Sequence, residues 1–344
     1  MENIEALKEL LSSPKNIVIT SHRNPDGDAI GSSLGLKHFL KKLGHKITVA
    51  FPSEYPDFVS FLPEARYILI HDTNPDFVEK AFDEADIIFA LDFNALSRID
   101  KMGAYISKKC KEKVKVLIDH HLEPEDFADY TLSDTSASST CELIYEFIMQ
   151  LGWEEKVDKD IGTCLFTGIL TDTGSFKYST SPRLYTIASK LKAVGVDDYT
   201  LQFELFNSQT EKQLRLLSHC LSHRSMEIFP EYNTGIIVLS KDDYEYFNIQ
   251  RGDTEGIVNY ILKIKNIRFA ALITEQPKIV KLSLRSKGDF SVQEIAQKYF
   301  KGGGHKNASG GISYQGLRGT VEKFKKILPE YKEQLTKEDS TMQL

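Results

Sequence analysis

Histidine and aspartate side chains that can bind metal ions are concentrated in a few short segments of the chain. The densest segment, Ser21-His-Arg-Asn-Pro-Asp-Gly-Asp28, places one imidazole and two carboxylates close together. Imidazole and carboxylate ligands without thiolates favour Mn2+, with Co2+, Mg2+, Fe2+ and Zn2+ as alternatives. A shared carboxylate can hold two such ions roughly 3.5–4 Å apart, as in two-metal hydrolases. The candidate ligands are His22, Asp26, Asp28, Asp92, His120, His121 and Asp172.

Each of these residues also has an ordinary structural interpretation. Asp28 could cap a helix that starts near Ala29, because Asp is strongly preferred at N-cap positions. An isolated His or Asp at the end of a strand is more often a turn or cap residue than a ligand. Capping of that helix does not account for His22 or Asp26, and several such clusters at strand and helix ends favour a metal site when taken together.

The elements that must position these residues follow from the hydrophobic pattern of the first half. Strands are predicted at residues 16–20, 46–51, 66–70, 86–93 and 113–119, separated by amphipathic segments. This alternation is typical of an α/β fold with a mostly parallel sheet covered by helices. Such a sheet binds its ligand at the carboxyl ends of the strands. Because three predicted strands run directly into His22, Asp92 and Asp119, we expect these side chains to converge on one rim.

The second half of the chain changes from helical to hairpin-like patterns. Helices are predicted at residues 139–151, 158–170, 181–194 and 211–224, followed by strands at 225–229, 235–240, 267–274 and 279–286 and a helix near 292–300. We therefore expect a catalytic domain at residues 1–205, a helical linker at 206–226 and a smaller α+β domain at 227–344. The tail from Lys332 is polar and is expected to be frayed.

Composition limits the classes of partner. The net charge of −6 gives no basic footprint for a stable complex with long nucleic acid, so a short anionic substrate fits better. No signal peptide and no run of about 18 apolar residues is seen, which predicts a cytoplasmic protein without a membrane span. The four cysteines are widely spaced and predict neither disulfides nor a thiolate zinc site.

Four motifs resemble those of the DHH phosphoesterase family in order and spacing: H-x-x-x-D-x-D at residues 22–28, Asp92 with Arg98, Asp119-His-His121 and Asp172-Thr-Gly-Ser175. The resemblance implies that the first ion is bound by His22, Asp26 and Asp92. It implies that the second is bound by Asp28, Asp92, His120 and Asp172, so that Asp92 bridges the two ions. His121 would face the scissile phosphate, Arg98 would contact substrate, and Asp119 would orient a histidine, since metal-bound imidazoles usually have such a partner.

A glycine-rich segment near the C-terminus offers a second kind of site. Residues 301–311 contain five glycines around His305 and Ser309, and glycines let backbone N–H groups approach phosphate oxygens closely. The alternative interpretation is a flexible tight turn. The segment resembles the signature of the DHHA1 substrate-binding domain, and the strand at 283–286 resembles the one that precedes it. This resemblance implies substrate contacts from Arg285, Gly303, Gly304, His305 and Ser309.

The resemblance implies hydrolysis of phosphate esters by water activated between two divalent ions. The absence of a pyrophosphatase-type C-terminal domain, of a further nucleic-acid-binding domain and of upstream membrane segments points to the stand-alone group that cleaves short oligoribonucleotides and 3′-phosphoadenosine 5′-phosphate (pAp). Linear dinucleotides such as pApA and pGpG, or polyphosphate, are alternative substrates. A catalytically silent nucleotide-binding regulator is the alternative from another class, which the complete ligand set disfavours. A homodimer is expected by analogy with the family alone.

Aromatic residues that could stack on substrate bases are not distinguished by the sequence. Phe176 and Tyr178 follow Asp172-Thr-Gly-Ser175 and are candidates by position. Both are interpreted primarily as packing residues.

Overall fold

Two six-stranded β-sheets organise the chain, one in each of the units Met1–Ser208 and Gln209–Leu344. The structure is a computed structural model that describes Met1, residues 3–250 and residues 252–337. The three-part division expected from the sequence, with a linker at residues 206–226, remains a prediction. Within the described residues, no helix combines the length and apolar character that a membrane crossing requires.

The first unit contains a fully parallel sheet in the order β3-β2-β1-β4-β5-β6. Its strands are β1 Asn16–Ser21, β2 Lys46–Phe51, β3 Leu69–Ile70, β4 Ile87–Leu91, β5 Val114–Asp119 and β6 Tyr130–Ser133. Its helices are α1 Ile4–Leu10, α2 Gly27–Lys42, α3 Pro75–Glu84, α4 Asp100–Lys109, α5 Thr140–Gln150, α6 Lys159–Asp172, α7 Pro182–Ala193 and α8 Asp198–Phe206. The α/β fold class predicted from the sequence is confirmed.

Helices cover both faces of this sheet, which explains why its strands read as continuous apolar runs. Ile17 and Ile19 of β1 pack into the core formed with α2, α5 and α6. Val18, between them, packs into a second core with α3 and α4. The chain leaves β1 for β2 on one side and returns to β4 on the other, so the order of strands reverses between β1 and β4. In open α/β sheets, ligands bind at such a reversal.

Helices α2 and α6 approach each other closely because α2 carries glycines at i, i+4 spacing. A Cβ added to Gly31 would lie 2.4 Å from the carbonyl oxygen of Cys164, and one added to Gly35 would lie 2.6 Å from Leu165. Gly168 of α6 is equally constrained, because its Cβ would lie 2.6 Å from Oδ1 of Asp28. The two helix backbones can therefore come together only where side chains are absent.

The second unit contains a mixed sheet in the order β11-β12-β10-β9-β8-β7. Its strands are β7 Met226–Phe229, β8 Thr234–Leu239, β9 Phe269–Glu275, β10 Val280–Ser286, β11 Gly303–His305 and β12 Ala308–Ser313. Its helices are α9 Glu211–Cys220, α10 Lys241–Tyr246, α11 Ile257–Leu262, α12 Val292–Phe300, α13 Gly316–Ile327 and α14 Lys332–Thr336. Strands β8 and β9 are parallel, and the other neighbours are antiparallel.

Several local expectations were wrong. Most of the glycine-rich segment is not a loop but the hairpin β11–β12, because its glycines pair across the two strands. The tail does not fray at Lys332: α14 continues to Thr336, since Leu335 is buried and its carbonyl accepts a hydrogen bond from Asn233. Residues 338–344 of that tail lie outside the described residues. The predicted strand at 66–70 is reduced to β3, because Ala65–Tyr67 forms a 3-10 turn. Strand β6 was not predicted.

Candidate metal centre and substrate site

The carboxyl ends of three neighbouring strands supply most of the candidate ligands. His22 follows β1, Asp92 follows β4, and Asp119 ends β5 immediately before His120 and His121. Because β1, β4 and β5 are parallel neighbours, their ends lie on one edge of the sheet. The remaining ligands come from helix ends: Asp26 and Asp28 lie at the start of α2, and Asp172 is the last residue of α6.

His22, Asp26 and Asp92 form the first group of side chains with metal-ligand geometry. One ligand atom from each lies within 4.8 Å of the others. Nε2 of His22 is 3.4 Å from Asp92 and 4.0 Å from Asp26. Asp26, not Asp28, caps α2, because its carboxylate accepts the amides of Asp28 and Ala29. The capping interpretation of Asp28 is therefore wrong, and its carboxylate points elsewhere.

Asp28, Asp92 and His120 form a second group, again with ligand atoms within 4.8 Å. Nε2 of His120 lies 3.8 Å from Asp28 and 3.5 Å from Asp92. Asp172 joins from α6, with its carboxylate 3.4 Å from the same nitrogen. Asp92 belongs to both groups, and its two oxygens point to different imidazoles: Oδ2 to His22 and Oδ1 to His120.

Asp92 is held in an uncommon backbone conformation that aims it into the centre of the site. Its φ of 62° lies in the left-handed region, which Asp tolerates better than most residues. Its amide donates to the carbonyl of Ile118 at the end of β5, and Oδ1 accepts a hydrogen bond from the Thr140 hydroxyl at 3.0 Å. The side chain is almost completely buried. Such conformations persist at functional sites where the surroundings enforce them.

The first turn of α5 anchors Asp28. The amide of Thr140 donates to Oδ2 at 2.6 Å, and that of Cys141 donates to Oδ1 at 2.9 Å. These are N–H groups that a helix leaves without internal partners, and the helix dipole favours a carboxylate there. Sequence reasoning missed this contact. The sequence predicts a helix at residues 139–151, but nothing in the spacing shows which carboxylate the first amides of that helix face.

Hydrogen bonds at Nδ1 orient all three histidines. Nδ1 of His22 lies 2.9 Å from the Arg23 carbonyl, and Nδ1 of His120 lies 3.3 Å from the Ala137 carbonyl. A proton on Nδ1 leaves the lone pair of Nε2 directed at the carboxylates, which is the tautomer a metal requires. Nδ1 of His121 instead lies 2.7 Å from the buried carboxylate of Asp119.

The concentration of carboxylates fits a cationic occupant. Burial and the charge of Asp92 raise the pKa of Asp28 to about 7. Burial and the neighbouring Asp28 raise the pKa of Asp172 well above its usual value. Burial alone would also raise the pKa of Asp92, but hydrogen bonds with His120 and His22 hold it well below the usual range. Imidazole nitrogens and carboxylate oxygens at these spacings form a donor set suited to divalent ions.

Arg98 lies beside the first group, in the 3-10 helix Leu96–Ile99. Its carbonyl accepts a hydrogen bond from the amide of Arg23. Burial and the charge of Arg98 lower the pKa of His22, but the hydrogen bond with Asp92 and the nearby carboxylates outweigh them, so this pKa is raised overall. Phe176, in contrast, stacks on Tyr185 with ring centroids 5.6 Å apart, as expected for a packing residue.

In the second unit, the hairpin register separates the candidate substrate residues into two groups. Arg285 pairs with Ala308, which pairs with His305, so the two basic residues share one face of the sheet. Ser309 lies on the opposite face, is 3% exposed, and donates its hydroxyl to the His305 carbonyl. Its hydroxyl is thus directed into the hairpin, away from the face of Arg285. Sequence reasoning placed these residues together because it treated the segment as a loop.

The two glycines named from the sequence differ in their surroundings. Gly304 has a φ of 140°, and an added Cβ would lie 2.6 Å from the Ala308 carbonyl, so the hairpin requires glycine there. Gly303 has no atom within 4 Å of such a Cβ, so its backbone lies open. Close approach of a ligand to the backbone is therefore possible at Gly303.

Comparison with known proteins gives a consistent family assignment. Residues 16–169 match the DHH family, N-terminal domain, and residues 233–337 match the DHHA1 domain. The chain is 31% identical to a bifunctional oligoribonuclease and PAP phosphatase (NrnA) of Thermus thermophilus, over 98% of this chain and 95% of that protein. It is 29% identical to a probable bifunctional oligoribonuclease and PAP phosphatase (NrnA) of Streptococcus mutans, over 90% and 94%.

A solved structure extends this similarity to three dimensions. An exopolyphosphatase-related protein from Bacteroides fragilis is 40% identical, with a TM-score of 0.91 and 97% of each chain covered. Both units of the present chain are therefore shared with relatives along nearly their whole length.

Proposed function

Because this chain belongs to the DHH phosphoesterase family, we propose that it hydrolyses oligoribonucleotides of two to five nucleotides to mononucleotides, and pAp to AMP and phosphate. The relatives from Thermus thermophilus and Streptococcus mutans carry both activities in their names and align along nearly their whole length. The observation that carries the proposal is the position of Asp92, whose two oxygens serve two separate groups of His and Asp ligands.

We assign the metal ligands as two sets that share Asp92. His22 and Asp26 complete the first set, and Asp28, His120 and Asp172 complete the second. Mn2+ is our first choice, since the set mixes imidazole with carboxylate and contains no thiolate. When bound, two divalent ions would lower the pKa of a water molecule and offset negative charge on the phosphate.

His121 and Asp119 are assigned to the substrate side of the reaction. A proton on Nδ1 of His121 is shared with Asp119, which fixes the ring and leaves Nε2 for the phosphate or the leaving group. During hydrolysis, a water molecule gives up a proton as its oxygen forms the new bond to phosphorus, the ester P–O bond breaks, and the leaving oxygen takes up a proton. His121 can hold that proton or contact the phosphoryl oxygen.

Substrate contacts are assigned mainly to the open side of the second unit's hairpin. The Arg285 guanidinium offers a planar fork for a phosphate, and His305 with the open backbone of Gly303 and the adjacent Gly304 provides further donors. Ser309 acts through the His305 carbonyl and therefore positions the hairpin turn. Arg98 is assigned a contact with the substrate beside the first ligand group.

The activity is tested by a substrate panel with purified protein and Mn2+. We expect release of phosphate from pAp and of mononucleotides from a pentaribonucleotide, measured by chromatography. Linear pApA, pGpG and polyphosphate belong in the same panel. Asp92→Ala should abolish turnover, whereas Asp76→Ala, an exposed carboxylate on α3, should leave it unchanged. No product from either pAp or RNA would contradict the proposal, and no turnover of any phosphoester would favour a silent nucleotide-binding protein.

Location and assembly complete the proposal. The four cysteines are buried free thiols, which is typical of a reducing compartment and supports the expected cytoplasmic location. A homodimer, expected from the family alone, is tested by light scattering of the purified protein.

A further inference from the structure

One face of the second unit's sheet is open at the β10–β12–β11 edge. Side chains alternate along these strands, so every second residue shares a face. Leu282 and Leu284 point into the core with α12, whereas the alternating residues of β10 are exposed (Lys281) or half-buried (Ser283 and Arg285). The open face consists of Lys281, Ser283, Arg285, Gly303, His305, Ala308, Gly310 and Ile312.

In the middle of the open face, the surface consists mainly of backbone atoms. Ser283 pairs with Gly310, and Gly310 pairs with Gly303, which makes a row with one small side chain. A Cβ added to Gly303 would meet nothing within 4 Å, and one added to Gly310 would meet only a carbonyl at 3.7 Å. The row is bordered by Arg285 and His305 at one end and by Lys281 at the other. A flat ligand can therefore lie on this surface between basic side chains.

An exposed aromatic residue stands beyond the Lys281 end. Tyr314 follows β12 and is 64% exposed, with Nζ of Lys301 5.1 Å from its ring centre. Lys301 precedes β11, so the pair lies at the opposite end of the hairpin from His305. Four residues of strand separate the two ends, about 13 Å, which corresponds to roughly four stacked nucleotides at about 3.4 Å each.

Charge is divided unequally between the units. Met1–Ser208 contains 22 Lys and Arg against 33 Asp and Glu, a net charge of −11. Gln209–Leu344 contains 21 against 16, a net charge of +5. The unit that carries the open face is thus the basic one, and a polyanion is attracted to it over the rest of the molecule.

We propose that the open face is a track for single-stranded RNA, in which Tyr314 stacks on a base and Lys301 and Lys281 contact phosphates beyond the nucleotide held at Arg285 and His305. Exposed aromatic rings beside basic side chains bind single strands without sequence preference, because every base has a flat face. This inference rests on the proposed function and adds the subsite that distinguishes an oligonucleotide from pAp. A mononucleotide held at Arg285 does not reach Tyr314.

Binding without turnover tests the track directly. Fluorescence anisotropy with a labelled pentaribonucleotide in EDTA measures affinity in the absence of hydrolysis, and pAp is measured by calorimetry. We expect Tyr314→Ala to weaken pentamer binding at least about fivefold and to leave pAp binding unchanged. Tyr314→Trp should retain pentamer affinity, because stacking needs only a ring. Tyr246 is an exposed tyrosine of the same unit that lies outside the open face, so Tyr246→Ala is the matched control and should have no effect.

Each other outcome overturns the track. Unchanged pentamer affinity in Tyr314→Ala, in an enzyme that still hydrolyses the pentamer, overturns the track alone. Equal losses for pAp and the pentamer indicate a general disturbance of the unit and also contradict it. Wild-type protein that hydrolyses neither pAp nor RNA overturns the proposed function together with the track.

Discussion

Asp92 shows how much of the site depends on a single carboxylate. Its oxygens lie 3.4–3.7 Å from nitrogens of three imidazoles, and one of them accepts the Thr140 hydroxyl. Thr140 also donates its amide to Asp28, so one residue at the start of α5 positions a carboxylate of each assigned ligand set. Partners of metal ligands typically affect metal affinity about 10–100-fold. Thr140, which is not an assigned metal ligand, therefore helps to hold the ligands Asp28 and Asp92 in place.

Replacing Thr140 with Val tests this positioning role. The hydroxyl is lost while the shape is nearly kept, so Asp92 loses one of the contacts that orient it. We expect Mn2+ affinity, measured by calorimetry on the metal-free protein, to fall roughly tenfold. Thr140→Ser keeps the hydroxyl and should stay close to wild type. Equal Mn2+ affinities for the Val variant and the wild type would contradict the role.

The sequence identified candidate metal-binding side chains but not the backbone amides that hold them in place. The His and Asp candidates could be selected because their types are few and because they follow strand ends that a parallel sheet brings together. The amides of Thr140 and Cys141 have no signature of their own, since every residue except proline has one. The sequence predicted that Ser309 and Arg285 contact the substrate together. The hairpin register shows that Ala308, not Ser309, shares a face with Arg285.

At the scale of elements, the contact between α2 and α6 determines where Asp28 and Asp172 lie. Gly31 and Gly168 are in contact across this interface, and Asp28 lies directly against Gly168. The interface thus fixes the start of one helix against the end of the other. A change in helix spacing would move both carboxylates.

Gly31→Ala tests whether α2 and α6 must pack as closely as they do. Alanine favours an isolated helix over glycine by up to about 1 kcal/mol, but its Cβ would lie 2.4 Å from the Cys164 carbonyl. We expect a net loss of about 1–3 kcal/mol in the free energy of unfolding, measured with urea. Gly319→Ala in α13, whose nearest neighbour would be a side-chain carbon at 3.2 Å, should be neutral or stabilising. Similar free energies of unfolding for the two variants would show that α2 and α6 can move apart with little loss of stability.

Glu64 links α2 to the following segment through an ion pair that depends on pH. Partial burial alone would raise the pKa of Glu64, but hydrogen bonds from Lys37 and Lys41 lower it from 4.5 to about 2. Because the folded pKa is depressed, the stabilisation is complete above about pH 4.5 and is lost as the pH falls towards about 2. Lys37 is buried, so removal of the Glu64 carboxylate takes away the ion pair of a buried ammonium group.

We expect Glu64→Gln to lower the free energy of unfolding at neutral pH by about 1–3 kcal/mol. The difference from wild type should shrink as the pH falls from about 4.5 to about 2. Urea unfolding at a series of pH values measures both effects. Glu84→Gln removes an exposed partner of Lys80 and should cost little at any pH. A difference for Glu64→Gln that stays constant down to low pH would contradict the ion pair as its source.

At the scale of the whole molecule, charge separates the two proposed tasks. The acidic unit carries the carboxylates that suit metal ions, and the basic unit carries the face that suits polyanions. The overall charge of −6 hides this division. Composition therefore disfavoured binding of long nucleic acid, which stays a prediction, and gave no sign of a local basic face. The types of the elements and the parallel sheet followed from hydrophobic periodicity. The register of the β11–β12 hairpin did not, because glycine-rich strands lack alternating side chains.

Salt dependence measures this division of charge. Each phosphate neutralised on a single strand contributes about 0.7 to the slope of log affinity against log salt. We expect a steeper slope for the pentaribonucleotide than for pAp by at least about 0.7, measured by anisotropy and competition in EDTA. Lys301→Met should reduce the pentamer slope, and Lys332→Met, on α14, should not. Identical slopes for the pentamer and pAp would mean that the protein neutralises no additional phosphate of the pentamer, which would contradict the prediction.

The lengths of the outermost strands have a consequence for the behaviour of the protein in concentrated solution. The four strands at the margins of the sheets, β3, β6, β7 and β11, contain two, four, four and three residues, while the inner strands contain five to seven. A long unpaired margin is a template for strand addition by another chain, and short margins are a natural protection against aggregation. The hairpin can therefore keep a glycine-rich backbone accessible to a ligand while offering other chains too short a margin for self-association.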